Sequence, residues 1–102
     1  KLLFAGDTAN TPLFAEHRAK GPFAAAIMPI GAYDPWIRSH CTPEQAVQLA
    51  NAAGASKLGP IHHQTFKLSN EPMDEPLKRF QTALAAEPER IALTRVGETT
   101  ML

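Results

Sequence analysis

The side chains of this sequence best suited to chemistry are one aspartate and two histidines, each placed after an apolar run. Asp7 and His62 come directly after short apolar runs, and His40 lies in a polar loop that follows a third. A carboxylate oxygen and a neutral imidazole nitrogen are both ligands that zinc takes in proteins. The pattern therefore allows a metal site, provided that the elements carrying these residues bring them together.

Asp7 stands between Gly6 and Thr8, where a carboxylate can face a cleft with its oxygens free. Such a group could bind a metal, accept a phosphoryl group or act as a base. It could equally cap a turn. A phosphotransfer domain that works through a phosphoaspartate usually has a second aspartate nearby, and the segment Asp7-Thr8-Ala9 has none.

His62 is followed at once by His63. Neighbouring side chains on an extended segment point in opposite directions, so at most one of the two faces a given site. A histidine at a strand end is also commonly a structural residue satisfied by hydrogen bonds. Because zinc takes three or four protein ligands, Asp7 and His62 alone leave a metal site incomplete.

His40 and Cys41 invite interpretation as a thiol–imidazole pair, which can activate a thiolate nucleophile. Consecutive residues rarely face one another, so we expect Cys41 to be a small residue that fills the loop. His40 precedes a helix start and is expected to contact the substrate or a metal-bound water. His17, between Glu16 and Arg18, is expected on the solvated surface.

Two aromatic residues, Tyr33 and Trp36, lie in the same long loop as His40. They could line an apolar substrate pocket, or they could be core packing. The charged residues on the last predicted helix are expected to form a solvated face; these are Lys78, Arg79 and Glu87.

Apolar runs that alternate with stretches of helical period predict an α/β fold in the order β-α-β-α-β-α-β-β. Strands are expected at residues 2–5, 24–30, 57–61, 91–96 and 99–102, and helices are expected to begin at Pro12, Pro43 and Pro76. In largely parallel sheets, functional groups collect at the carboxyl ends of the strands. Asp7, His62 and His40 all fall at or beyond such ends.

The clearest local signal is the helix start Thr42-Pro43-Glu44-Gln45. Thr42 can cap the helix while Gln45 reaches back to form a capping box, and Pro43 suits the first turn. Residues at helical spacing then share one apolar face, namely Ala46, Leu49, Ala50 and Ala53. Gly54 is expected to end this helix.

Size and composition restrict the possible classes. The 102 residues suit one domain, residues 1–102, and the net charge of +0 gives no electrostatic basis for binding nucleic acid. The apolar run Phe23–Ile30 is too short to span a membrane. Since Cys41 is the only cysteine, we expect a reducing, cytoplasmic location. The chain opens directly on an apolar strand, without an initiator Met, so we expect a fragment.

Four segments in this order resemble one family. They are Phe4-Ala5-Gly6-Asp7-Thr8, Met28-Pro29-Ile30-Gly31-Ala32-Tyr33, His40-Cys41-Thr42-Pro43-Glu44-Gln45-Ala46 and Ile61-His62-His63-Gln64-Thr65-Phe66. Together they resemble the second half of the N-acyl-phosphatidylethanolamine phospholipase D-like metal-dependent hydrolases, a group within the metallo-β-lactamase superfamily. The resemblance covers nearly the whole chain.

The resemblance implies the C-terminal half of a four-layer αββα sandwich with a two-metal site, usually zinc. In this family the position of Asp7 bridges both metals, that of His62 is a terminal metal ligand, and that of His40 lies near the substrate. The substrates implied are small-molecule or lipid-like phosphodiesters, esters or lactones, hydrolysed by a metal-activated water. No ligand role carries over to His63.

The departure from the family pattern is large, because the His-x-His-x-Asp-His motif that completes the metal site is absent. We therefore expect the chain to be inactive alone, with its open sheet face covered by a missing N-terminal half or by a homo-oligomer. The alternative is a non-catalytic interaction module that packs against a partner chain.

Overall fold

The computed structural model describes all residues from Lys1 to Leu102 and contains a three-stranded parallel sheet. Its strands are β1 (Leu2–Phe4), β2 (Phe23–Pro29) and β3 (Ala55–Ile61), in the spatial order β1-β2-β3. The α-helices are α1 (Pro43–Ala53) and α2 (Glu75–Ala83), and the 3₁₀ helices are Pro12–Lys20 and Pro88–Arg90. This confirms the predicted α/β class and its parallel sheet.

The central strand β2 fixes the alignment of the sheet. Leu3 pairs with Ala26 on one side, and Ala26 pairs with Leu58 on the other. Five of the seven residues of β2 are buried, as expected for the central strand of a parallel sheet. The three strands end together as a result, so the loops that follow them share one edge of the sheet.

Helix α1 covers one face of this sheet, and its start and stop follow the sequence signals. Thr42 and Gln45 form the predicted capping box, and Gly54 ends the helix in the left-handed conformation at φ 75°. The predicted apolar face is buried throughout; its members are Ala46, Leu49, Ala50 and Ala53. They belong to a core of 15 buried residues that also includes Phe80 of α2.

The prediction of two C-terminal strands was wrong. Only Ile91 touches the sheet, through an isolated parallel bridge to Leu58. The Glu98 carboxylate then accepts the backbone N–H groups of Thr94 and Arg95, at 2.9 and 3.1 Å. Because these donors are used in a local turn, the segment does not continue as a strand, and residues 99–102 form none either.

The other predicted strand bounds and helix starts are correct to within two residues, and the region from β1 to β3 has the predicted alternation. None of the helices has both the length and the apolar character required to cross a membrane.

Candidate metal centre

The structure brings together the three side chains that the sequence singled out. One ligand-type atom from each of Asp7, His40 and His62 lies within 4.8 Å of the other two. The Asp7 Oδ1 atom is 3.1 Å from His40 Nε2 and 3.8 Å from His62 Nε2. The Asp7 side chain is more than half exposed, whereas both imidazoles are largely covered. The cluster therefore lies at the surface of the chain with its carboxylate accessible.

Asp7 reaches this position because β1 ends in a sharp turn. The Ala5 N–H still donates to the Ile27 carbonyl at 3.0 Å, so the chain is held to β2 up to that residue. Gly6 then takes φ 63°, a left-handed conformation that glycine adopts without steric cost.

The orientation of His40 is set by the turn that precedes it. Both its backbone N–H and its Nδ1 atom lie 3.1 Å from the Trp36 carbonyl oxygen. A carbonyl only accepts, so Nδ1 carries a hydrogen and donates it. The Nε2 atom of a neutral ring then presents a lone pair to Asp7 Oδ1. Because His40 Nε2 and Asp7 Oδ1 are then both hydrogen-bond acceptors, their separation of 3.1 Å requires a proton or a cation between them.

His62 is held by an unusual backbone at the end of β3. His62 and Gln64 have φ values of 63° and 56°, and Ala32, on the opposing loop, has φ 61°. Non-glycine residues rarely adopt this conformation, and such strain tends to cluster at functional sites. A Cβ atom at Gly31 would collide with the His62 carbonyl oxygen. Glycine is thus required at this position for the two loops to approach each other. Nothing in the sequence around Gly31 indicated this requirement.

The donor set fits a divalent cation. Ligand atoms around a tetrahedral ion at about 2.0–2.2 Å lie about 3.3–3.6 Å apart, and the 3.8 Å between Asp7 Oδ1 and His62 Nε2 is close to that range. The Nδ1 atoms of His62 and His63 are buried without a hydrogen-bond partner. Burial lowers the pKa of His63 below its ordinary value, which favours its neutral form.

Cys41 does not belong to this cluster. Its thiol is fully buried and donates to the Pro29 carbonyl at 3.3 Å, and burial raises its pKa to about 11. Such a thiol is a poor nucleophile, consistent with the predicted filling role rather than a His40–Cys41 pair.

Tyr33 contributes to packing rather than to a pocket. Its ring is buried beneath the Arg79 guanidinium, which lies 4.8 Å from the ring centroid, and its hydroxyl bonds Glu75. Arg79 also forms two hydrogen bonds to Glu44, at 2.9 and 2.7 Å. The prediction that Arg79 lies on a solvated face was therefore wrong in part, because its side chain is only 36% exposed and pairs with Glu44 of α1.

The candidate centre falls within a region that matches a known family. A sequence model described as the β-lactamase superfamily domain matches residues 1–63, which include Asp7, His40 and His62. The chain belongs to this superfamily. An uncharacterized protein of Mycobacterium tuberculosis and one of Mycobacterium bovis are each 39% identical over 98 residues, covering 91% of this chain and 26% of the relative.

Solved structures show the same fold. A metallo hydrolase of Ignicoccus hospitalis aligns with a TM-score of 0.67 and 22% identity, over 94% of this chain and 39% of that one. A metallo-β-lactamase-fold protein of Bacillus subtilis aligns with a TM-score of 0.64 and 16% identity, over 95% and 38% of the two chains. This member of the β-lactamase superfamily spans about a quarter, 26%, of the length of the two mycobacterial relatives.

Proposed function

We propose that this chain is the part of a metal-dependent hydrolase that provides Asp7 and His62 as metal ligands and His40 beside the substrate. The observation that carries the proposal is the convergence of the Asp7 carboxylate with both imidazoles within 4.8 Å. Membership of the β-lactamase superfamily supports it, because the matched residues include all three side chains.

When bound, the metal would lower the pKa of a water and stabilise the charge that develops on the attacked phosphoryl or carbonyl group. Asp7 has two carboxylate oxygens, and Oδ1 is the one next to both imidazoles. Its Oδ2 atom is thus available to a second ion. His40 donates from Nδ1 to the Trp36 carbonyl, so Nε2 is the nitrogen that can hold a proton or bond an oxygen of the substrate.

At a finer level, we propose a zinc-dependent enzyme similar to the N-acyl-phosphatidylethanolamine phospholipase D-like hydrolases, acting on a phosphodiester, ester or lactone. The ordered sequence segments around Asp7, His40 and His62 support this assignment. The imidazole nitrogen of His62 and the carboxylate oxygen of Asp7 are both ligands that zinc takes in proteins. A cytoplasmic location is proposed on the single cysteine of the chain.

We further propose that a missing N-terminal half completes the metal site and covers the open face of the sheet. Leu2 and Phe4 alternate along β1, so they face the same side, and they are 59% and 69% exposed. The chain corresponds to 26% of its relatives' length, which leaves ample sequence for such a half. A homo-oligomer is the other arrangement that would cover this face.

The experiment that tests the proposal is metal analysis of the full-length protein. About two zinc-like ions per chain are expected, since a two-metal site binds a pair of ions. Asp7→Asn and His62→Gln are expected to lose metal and hydrolysis of an aryl phosphodiester or ester. His40→Gln is the matched control, because it should retain the metal while losing hydrolysis.

A second candidate is a non-catalytic module that packs against a partner and uses Asp7 and His62 only for hydrogen bonds. The exposed apolar pair Leu2 and Phe4 favours it. Absence of stoichiometric metal from the full-length protein, with Asp7→Asn and His62→Gln leaving partner binding unchanged, would support this function and contradict the hydrolase.

A further inference from the structure

Glu71 is the one charged residue that is buried in this chain, and it lies outside the strands and helices. It stands where two loops meet: the first loop, residues 30–42, follows β2, and the second loop, residues 62–74, follows β3. A buried carboxylate is costly unless hydrogen bonds satisfy it, and an apolar side chain would serve packing equally well. The carboxylate therefore serves the groups that it binds.

The Glu71 carboxylate accepts hydrogen bonds from both loops. Its Oε1 accepts the backbone N–H groups of Tyr33 and Asp34 at 2.7 and 3.2 Å, and the other oxygen accepts the Ser69 hydroxyl. Ala32, directly before the two backbone donors, has φ 61°. Successive N–H groups beside a left-handed residue form a concavity that suits an anion. The Glu71 carboxylate is the anion in this concavity, so it stabilises the strained turn of the first loop.

Two further hydrogen bonds join the same loops. The Asn70 N–H donates to the Asp34 carbonyl at 2.7 Å, and the Trp36 indole donates to the Leu68 carbonyl at 3.1 Å. Elsewhere a cavity of about 310 Å³, lined by residues of both loops including Glu71, separates them. Because side chains do not fill this space, hydrogen bonds rather than close packing set how far apart the loops lie.

Each of these loops carries one histidine of the candidate metal centre. In the first loop, the Trp36 carbonyl is 3.1 Å from both the backbone nitrogen and the Nδ1 atom of His40. In the second loop, the carbonyl of His62 lies against Gly31 of the first. The centroids of the two imidazole rings are 5.2 Å apart. The spacing of the rings thus depends on how the first loop is held against the second.

We propose that Glu71 is a positioning residue of the metal centre, which fixes the spacing of His40 and His62 by holding their loops together. This inference rests on the proposed hydrolase function and adds a residue to that same site. Glu71 acts through the loops and is not itself a metal ligand, because both of its oxygens are buried and already accept hydrogen bonds.

Hydrogen exchange of the metal-free, full-length protein tests the inference without reference to catalysis. Glu71→Leu removes both acceptors at similar volume, so amide exchange in both loops should rise about tenfold or more relative to that of β2. Glu71→Gln keeps an oxygen for the two N–H groups and should stay within about threefold of the wild type. Leu84→Ala is the matched control, since Leu84 is buried in the core at the far end of α2.

Loop exchange that is unchanged in Glu71→Leu, or that rises equally in Leu84→Ala, would overturn the inference. If Glu71→Leu does not fold, Glu71→Asp replaces it in every comparison. This variant keeps the charge but draws the carboxylate back by one methylene group, so it should raise loop exchange relative to Glu71→Gln.

Cobalt binding to the full-length protein tests the effect on the metal. Glu71→Leu should weaken Co²⁺ binding about tenfold or more and change the visible absorption of the bound ion, which depends on ligand geometry. Glu71→Gln and Leu84→Ala should keep both properties. Unchanged affinity and absorption in Glu71→Leu would overturn the inference and leave the hydrolase intact. A wild type that binds no metal would overturn the proposed function, and faster loop exchange in Glu71→Leu alone would still show that Glu71 sets the spacing of the loops.

Discussion

Two regions of the sheet differ in how many of their polar groups have hydrogen-bond partners. One is the face covered by α1, and the other is the edge formed by the carboxyl ends of the strands. Beneath α1, Ala46, Met28 and Leu58 are fully buried, and the helix ends are capped. At the strand ends, two buried histidine nitrogens have no partner, and His62 has a left-handed backbone. The covered face is thus packed and hydrogen-bonded, whereas the edge has the strained backbone and the unpaired imidazole nitrogens that are typical of a functional site.

The same substitution placed in the two regions gives the largest expected contrast. Phe80→Ala removes a fully buried ring and should lower the free energy of unfolding by about 3–5 kcal/mol. Phe66→Ala, at a 74% exposed position beside the site, should change it by less than about 0.5 kcal/mol. Urea denaturation of both variants measures the difference. Similar losses would mean that the edge is packed as tightly as the core.

The boundary between the two regions falls between adjacent residues, since Cys41 faces the core and His40 faces the site. Because burial raises the pKa of Cys41 to about 11, its thiolate fraction at pH 8 should be at least about 100-fold below that of an ordinary thiol. Alkylation by iodoacetamide should be slower by at least this factor in the native protein than in urea. Equal rates would show that the Pro29 contact is open in solution.

Gly31 lies where the two regions meet, and its replacement tests how the edge is held. Gly31→Ala would force the His62 carbonyl away and should cost about 1–3 kcal/mol. Metal affinity should also fall about tenfold or more, because supporting contacts orient ligands. Gly59→Ala is the control, as its added Cβ meets only the flexible end of Ile27 at 3.0 Å. Unchanged metal binding in Gly31→Ala would contradict the role assigned to this loop approach.

The smallest expected effect concerns the ion pair that joins α1 to α2. The Arg79 guanidinium lowers the pKa of Glu44 below its ordinary value. A lowered carboxyl pKa stabilises the fold above the unfolded-state value of about 4.3, and this stabilisation is lost as the pH falls through the folded-state value. Glu44→Gln should remove about 0.2–1 kcal/mol at pH 7, since the pair is partly exposed.

The check for Glu44→Gln is thermal denaturation of both proteins between neutral pH and the acid limb. The difference in stability should shrink below pH 4.3 or so. A difference that stays constant across this range would show that the glutamate acts through packing and not through its charge.

Several features could be predicted from the sequence because they depend on local rules. The capping box at Thr42 and Gln45 and the stop at Gly54 follow from backbone donors and acceptors within one turn. The convergence of Asp7 and His62 follows from parallel strands, whose carboxyl ends share an edge. The C-terminal strands were mispredicted because Glu98 takes the backbone donors of Thr94 and Arg95, and no residue pattern indicated that competition.

Apolar periodicity and capping signals act over a few residues, so they were enough to predict the α/β class and the helix starts, and the positions after strand ends indicated the three side chains that converge. The 3.1 Å contact of His40 with Asp7, the close approach of Gly31 to His62 and the cavity beside them became visible only in the three-dimensional fold. These features join segments distant in sequence, and their geometry depends on how the loops pack over the sheet edge.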